Sequence, residues 1–386
     1  VLLDLNKLNE AMESYDKAIQ IKPNFAEAYY NRGNAFLKLK KIESAIASYD
    51  KAIQIKPDYA EAYNNRGSVF FDLNEMESAI ASFDRAIKIK HNFAEAHYNR
   101  GNALVELNKI EAALESFDRA IQIKPDYVQA YNNRGNALVE LKKIDAALES
   151  FDKVIQIKPD HAEAYYNRGN ALKKFKKLEK ALESYDKVIQ IKPDYVQAYN
   201  NRGNVLLELH KIDAAIESFD RAIKIKHDFA EAHYNRGNAL VELNKIEAAL
   251  ESFDRAIQIR PDYAEAYKNR GNALLELKKI DAAIESFDRA IKIKPDSDYL
   301  FGQLFHTKNS VCNWNFFKED LKKLKNKTLK VQKISPPFPI LSVYDSPSLQ
   351  KISAEIFLKK KYSSTDFLEP ITKRELNNKI RIGYYS

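Results

Sequence analysis

The sequence is poor in glycine, cysteine and long apolar runs, and each shortage excludes something. Ten glycines in 386 residues fall well under the usual share of about 7%. That excludes a turn-rich β protein and a glycine-rich linker. The single cysteine, Cys312, leaves no internal disulfide and no cysteine-based zinc cluster, and it fits a reducing compartment. Nowhere do 18 apolar residues follow one another, so no membrane-spanning helix is expected. No signal peptide is visible either, and the expected location is cytoplasmic, although the chain starts at Val1, without a methionine and inside a repeat. What is present favours helix: 45% of residues are hydrophobic and 30% charged, with Ala, Ile, Leu, Glu and Lys prominent.

Eight of the ten glycines are Gly33, Gly67, Gly101, Gly135, Gly169, Gly203, Gly237 and Gly271, each 34 residues after the last. A fixed period of this length means stacked repeats. With this glycine at position 8, full repeats start at Ala26, Ala60, Ala94, Val128, Ala162, Val196, Ala230 and Ala264. A partial repeat, Val1 to Phe25, precedes them, and the array (1–295) ends near Pro295. Each repeat reads as two helices, over positions 1–14 and 18–30. Proline at position 32, as at Pro57, Pro125 and Pro159, stops the second helix, because it lacks an N–H and disfavours helical geometry just before it. His91 and His227 stand there in two copies, and no function is assigned to them.

The remaining pattern is packing. Position 20 is Ala in every copy, from Ala45 to Ala283, and position 24 is aromatic, from Tyr49 to Phe287. Small residues let the two helices of a hairpin approach, and large ones fill the gaps. A hairpin of this kind buries its face only against its neighbours, so the fold class is all-α, a quasi-linear solenoid of hairpins. Two opposite charges also recur without exception, Arg at position 7 (Arg32 to Arg270) and Asp at position 25 (Asp50 to Asp288). They read as a structural ion pair on each hairpin or between neighbours, with geometry suited to a guanidinium. Arg134 with Asp152 is the pair expected to depend on each other.

Position 6 is Asn in all eight copies: Asn31, Asn65, Asn99, Asn133, Asn167, Asn201, Asn235 and Asn269. Position 9 is Asn in all but Ser68. Asn is a poor choice inside a helix, so the repetition needs a reason. A side-chain amide carries a donor and an acceptor, and a ladder of them can grip the backbone of an extended peptide without reading its side chains. Position 6 is taken as that ladder, and position 9 as satisfying a neighbouring loop carbonyl. The copies are nearly identical: Ala94–Tyr127 recurs at Ala230–Tyr263 with one change, Lys124 in the first and Arg260 in the second. Such uniformity suits a generic extended partner. Nucleic acid is not expected, because the array carries 46 basic against 45 acidic residues, without the surplus that phosphate binding needs. No membrane contact is expected, and the oligomeric state is unreadable.

After Pro295 the period stops. Residues 296–386 carry 16 basic and 9 acidic groups, which holds nearly all of the chain's formal +8. Two capping helices are expected in 296–330, at Asp298–Lys308 and Val311–Lys325, with Trp314 and the Phe316–Phe317 pair covering the last repeat. His306 reads as structural. Residues 331–378 read as a linker in which Ser335–Pro339 breaks any helix and one helix starts near Pro347. The end, Lys379–Ser386, alternates as a β-strand.

Gly at 8, Ala at 20, an aromatic at 24, Ala or Val at 27 and Pro at 32 closely resemble the tetratricopeptide repeat family over about 295 residues, and the resemblance implies that the solenoid is a right-handed superhelix. Two departures stand out. Position 7, usually Leu in that family, is Arg, and position 15, usually Gly, is Lys, Asn or His. A second resemblance covers LFGQLFHTKNSVCNW (300–314), SPPFPILSVYDSPSLQ (335–350) and KIRIGYYS (379–386), which together look like the junction in O-linked N-acetylglucosamine transferases. That resemblance implies an acceptor-binding array and linker of a protein glycosyltransferase using UDP-GlcNAc, with 379–386 as the first strand of its catalytic domain. The chain stops before any catalytic or nucleotide-binding residue, so no cofactor, metal or catalytic residue is assigned to it. The alternatives are a stand-alone interaction scaffold binding extended protein or peptide segments, and an adaptor clamping a C-terminal carboxylate, for which Lys173, Lys174 and Lys268 are the candidates.

Overall fold

A computed structural model of the protein describes residues 2–361. Among them there are 21 helices and no strand. The strand expected at Lys379–Ser386 lies outside the described residues. Helix α1 is Leu2–Ile21. Five pairs follow: α2 (Ala26–Lys38) with α3 (Ile42–Ile55), α4 (Ala60–Asp72) with α5 (Met76–Ile89), α6 (Ala94–Glu106) with α7 (Ile110–Ile123), α8 (Val128–Glu140) with α9 (Ile144–Ile157), and α10 (Ala162–Lys174) with α11 (Leu178–Ile191). Next come α12 (Val196–Glu208) and α13 (Ile212–Ile225), then α14 (Ala230–Glu242) with α15 (Ile246–Ile259) and α16 (Ala264–Glu276) with α17 (Ile280–Ile293). The chain ends its described part with α18 (Leu300–Ser310), α19 (Phe317–Leu329), α20 (Pro337–Val343) and α21 (Pro347–Lys361). It divides after Ser218 into two compact units, each a stack of helical hairpins.

The hairpin follows from one close approach. A Cβ placed on Gly135 would stand 2.6 Å from Phe151 Cε1, well inside van der Waals contact. The same ring lies on the same glycine in six other hairpins, from Gly33 under Tyr49 to Gly271 under Phe287. The rings at position 24 and the alanines at position 20 are fully buried. The turn between the two helices is equally regular. Position 15 is left-handed in all eight copies, with φ of 58° at Lys142 and 62° at Asn74. In the third and fourth hairpins Lys109 N and Lys143 N reach back to Leu104 O and Leu138 O, at 2.8 and 2.9 Å. This is the Schellman closure of a helix, which favours glycine. The non-glycine residues here adopt the same geometry at a cost of roughly 1–2 kcal/mol each.

The recurrent charges join one hairpin to the next rather than closing one hairpin. Arg134 Nε donates to Asp118 of the preceding hairpin at 2.6 Å, and its Nη1 donates to Ser150 Oγ of its own at 2.7 Å. Ser150 Oγ passes the bond on to Ala146 O at 2.9 Å. The pattern repeats at Arg100, Arg168, Arg202, Arg236 and Arg270. The expected pair of Arg134 with Asp152 is therefore corrected: Asp152 belongs to Arg168, at 2.7 Å. The reason is geometric. Position 7 lies at the seam with the preceding second helix. The buried Ser at position 23 of every copy holds the guanidinium from the other side.

The cap differs from its expectation in three ways. First, the helical register runs one helix further. Gln303 stands where a ninth position 6 would be, and it donates to Asn272 Oδ1 at 2.5 Å across 31 residues, the spacing of the preceding Asn pairs. Cys312, at the ninth position 15, is again left-handed, with φ 54°, and Lys308 takes over the pairing with Asp288 at 3.3 Å. Second, Leu300 and Leu304 of α18 cover the last hairpin, packing on Leu274, Ile284 and Phe287. Trp314 and Phe316 are 56% and 74% exposed, because left-handed Cys312 and Phe316 turn that segment outward and delay α19 to Phe317. Phe317 alone of the three packs inward, stacked on Phe305 with centroids 5.5 Å apart. Third, residues 331–361 hold two helices rather than one, since Pro337 occupies the first turn of α20, where a missing N–H costs nothing.

The ion-pair register is testable by double-mutant cycles on urea unfolding. Arg134→Leu and Asp118→Leu should couple by about 0.5–1 kcal/mol, as a partly exposed pair does. Arg134→Leu and Asp152→Leu should be additive. Coupling only to Asp152 would restore the intra-hairpin pair.

Candidate functional site

Position 6 lies on the face where first helices meet. Within the first unit α4, α6, α8, α10 and α12 touch in succession, and in the second α14 touches α16. Second helices make no comparable approach among the described residues. Helices that crowd on one side and splay on the other bend a stack toward the crowded side, so the first helices line the inner face of each unit.

There the Asn residues form a hydrogen-bonded row, each reaching the preceding first helix. Asn133 Nδ2 donates to Tyr98 Oη at 3.2 Å and to Asn102 Oδ1 at 2.8 Å. Asn65 does the same with Tyr30 and Asn34, Asn201 with Tyr166 and Asn170, and Asn269 with Tyr234 and Asn238. Asn99 and Asn167 instead donate to Asn64 Oδ1 at 3.1 Å and Asn132 Oδ1 at 3.0 Å. Asn31 is exposed, and the other seven, Asn235 included, are half-buried. The expectation for position 9 is corrected: Asn34, Asn102, Asn170 and Asn238 accept from the next position 6 rather than donating to a loop carbonyl. The ladder is thus partly structural, with its donors turned into the stack.

Two contributors escaped the sequence reading. Position 5 alternates Tyr30, Asn64, Tyr98, Asn132, Tyr166, Asn200, Tyr234 over seven copies before Lys268 ends the series, a 68-residue period hidden inside the 34-residue one. Each of these Tyr rings leans on a Tyr of the following loop, Tyr98 on Tyr127 with centroids 5.0 Å apart and Tyr30 on Tyr59 at the same distance. Burial, with Tyr30 alongside, pushes the Tyr59 hydroxyl up to about 12, so it stays a neutral donor. Ser at position 23 was the other, visible as an eightfold repetition. At the same face burial pushes the Lys173 ammonium down against the pull of Glu208, while Lys174 is tied to Glu140 at 3.7 Å. Lys173 and Lys174 sit in the first unit and Lys268 in the second, so the three carboxylate-clamp candidates share no single unit. Among the described residues no group of His, Cys, Asp and Glu is set to hold a metal, and no helix is long and apolar enough to cross a membrane.

The comparisons agree with this geometry. A family model described as TPR repeat matches residues 1–40, 33–73, 67–107, 101–142, 135–174 and 203–243. Further tetratricopeptide repeat models match 162–195, 184–217 and 234–298. The chain belongs to the tetratricopeptide repeat family. No curated protein matches it. Among solved structures, the array is similar to YrrB, described as a TPR protein with an unusual peptide-binding site, at 32% identity over 48% of this chain and 96% of that one, with a TM-score of 0.44. MamA from Desulfovibrio magneticus RS-1 matches at 24% identity over 44% and 96%, with a TM-score of 0.42. A tetratricopeptide repeat protein from Parabacteroides merdae matches at 17% identity over 64% and 98%, with a TM-score of 0.50, a likeness of fold. None of these matches links the chain to an O-linked N-acetylglucosamine transferase.

The paired hydrogen bonds of the even-numbered rungs, Asn65, Asn133, Asn201 and Asn269, have a measurable worth. Tyr98→Phe removes the hydroxyl that Asn133 reaches and should cost this tetratricopeptide array about 0.5–1.5 kcal/mol in urea unfolding. Tyr131→Phe, at position 4, lacks such a bond and should cost less. Equal losses would show that the row carries no stability.

Proposed function

We propose that the chain is a protein-interaction scaffold whose inner face holds extended polypeptide along Asn31, Asn65, Asn99, Asn133, Asn167, Asn201, Asn235 and Asn269. The observation that carries this reading is the amide row itself, uncharged, half-exposed and continued from helix to helix within each unit. Its outward oxygens meet the N–H groups that an extended peptide must satisfy on entering the face. Each contact is weak and independent of side chains, so affinity grows with the number of rungs engaged.

The transferase reading adds nothing to this face. Leu300–Trp314 and Ser335–Gln350 are accounted for by capping: Gly302 N donates to Ile334 O at 2.9 Å, and Gln350 Nε2 donates to Tyr344 O at 2.7 Å. Lys379–Ser386 lies outside the described residues. A longer protein that glycosylates its partners would present its acceptor on the same row.

Replacing Asn133, Asn167 and Asn201 together by Ala should weaken unstructured peptides at least about tenfold in fluorescence anisotropy, at roughly 1 kcal/mol or less per rung. Circular dichroism should retain the helices. Unchanged affinity in a folded triple variant would remove the groove assignment.

A further inference from the structure

The rungs of the row are of two chemical kinds, and the difference can be read from which hydrogens are already spent. A side-chain amide has two N–H donors and one oxygen. In Asn65, Asn133 and Asn201 both donors are used inside the stack, on a Tyr hydroxyl and on a position-9 Asn of the preceding helix. Only the oxygen remains for a ligand, and in Asn65 and Asn201 it also takes a long bond, 3.4 and 3.5 Å, from the neighbouring Asn64 and Asn200. In Asn99 and Asn167 one donor goes to the position-5 Asn of the preceding helix. The position-9 residues there, Ser68 and Asn136, do not share it: Ser68 Oγ turns to Asn64 O at 3.2 Å, and Asn136 is exposed. A donor and an acceptor are both left.

We infer that Asn99 and Asn167 clasp a peptide group of the bound polypeptide with N–H and C=O together, while Asn65, Asn133 and Asn201 only accept from it. The inference rests on the polypeptide-binding reading of the face and deepens it. The strong contacts then recur every 68 residues of array, once per two hairpins, following the Tyr/Asn alternation at position 5. An amide that both donates and accepts fits a peptide unit and fits neither a phosphate nor a carboxylate, which offer no donor when ionised. The partner is therefore an extended polypeptide held by its backbone at alternate hairpins, with the residues between free to vary. The alternation belongs to position 5, not to the invariant Asn, so the specificity-determining residues are Asn64 and Asn132, which sit behind the ladder.

The test compares two double variants of the full chain against one unstructured peptide in anisotropy titrations, with unfolding followed in parallel. Asn99→Ala with Asn167→Ala removes two two-point contacts and should weaken binding about tenfold with little change in the melting midpoint. Asn133→Ala with Asn201→Ala removes two one-point contacts and four inward bonds, and it should weaken binding about threefold while lowering the midpoint clearly. Equal losses of affinity overturn the alternation and leave the groove standing. No loss in either variant overturns the groove as well. A third variant leaves the ladder untouched: Asn132→Tyr rebuilds in front of Asn167 the arrangement found at Asn65, Asn133 and Asn201, with Asn136 available at position 9. It should weaken binding about threefold with Asn167 in place, and unchanged affinity in this folded variant also overturns the alternation.

Discussion

Everything in this protein depends on a ring lying directly on a helix backbone. Position 8 has no side chain because the aromatic of position 24 occupies its place, and a methyl group at Gly135 would collide with Phe151. That contact sets the distance between the two helices of each hairpin and fixes which faces remain. One face of the first helix is consumed by the ring. The opposite face is left for the neighbouring first helices, and it is there that the Asn row forms. A single short contact, copied every 34 residues, thus determines where binding chemistry can be placed.

Polar groups join neighbouring hairpins beside the apolar contacts such as Phe83 with Ala103 and Tyr185 with Val205. From Arg100 to Arg270 each Arg at position 7 reaches back to one Asp and across to one Ser, spanning the seam with two bonds below 3 Å, whereas among the described residues Arg32 bonds Asp16 alone. Its side chain is about a quarter exposed at Arg134 and its Asp partner about half, so the pair adds direction more than energy. The Asn row does the same at the inner edge. From Arg100 to Arg270 the seam bonds keep one geometry, and the Asn row alternates between two, which lets near-identical sequences stack in one register. They also explain why Asn is retained inside a helix: part of its hydrogen-bonding capacity, one donor or both, holds the neighbour, and the rest faces outward.

The legible part of the fold was the part carried by period. Glycine spacing, the aromatic at 24 and the proline at 32 place the helix ends to within a few residues, because packing in a hairpin admits few alternatives. The partner of each Arg was not legible, since positions 7 and 25 recur equally within and between hairpins and only three-dimensional stacking separates the two. Tyr/Asn alternation was visible in the letters and was masked by the stronger 34-residue signal. The cap was read least well. Gln303 and Cys312 keep the register of a ninth first helix while the marker residues around them are gone, and left-handed Phe316 redirects a segment whose aromatics suggested burial. At the face itself the invariant Asn was found from sequence, but its division between stack and solvent required the hydrogen bonds.

The most direct measurement is a photo-crosslinking map. An unstructured peptide carrying diazirine side chains at several positions is bound to the chain, irradiated, and its attachment sites are read by mass spectrometry. The account predicts attachment to the first helices α6, α8 and α10, at residues beside Asn99, Asn133 and Asn167. Attachment concentrated on the second helices α7, α9 and α11, around Lys153 and Gln156, would contradict it.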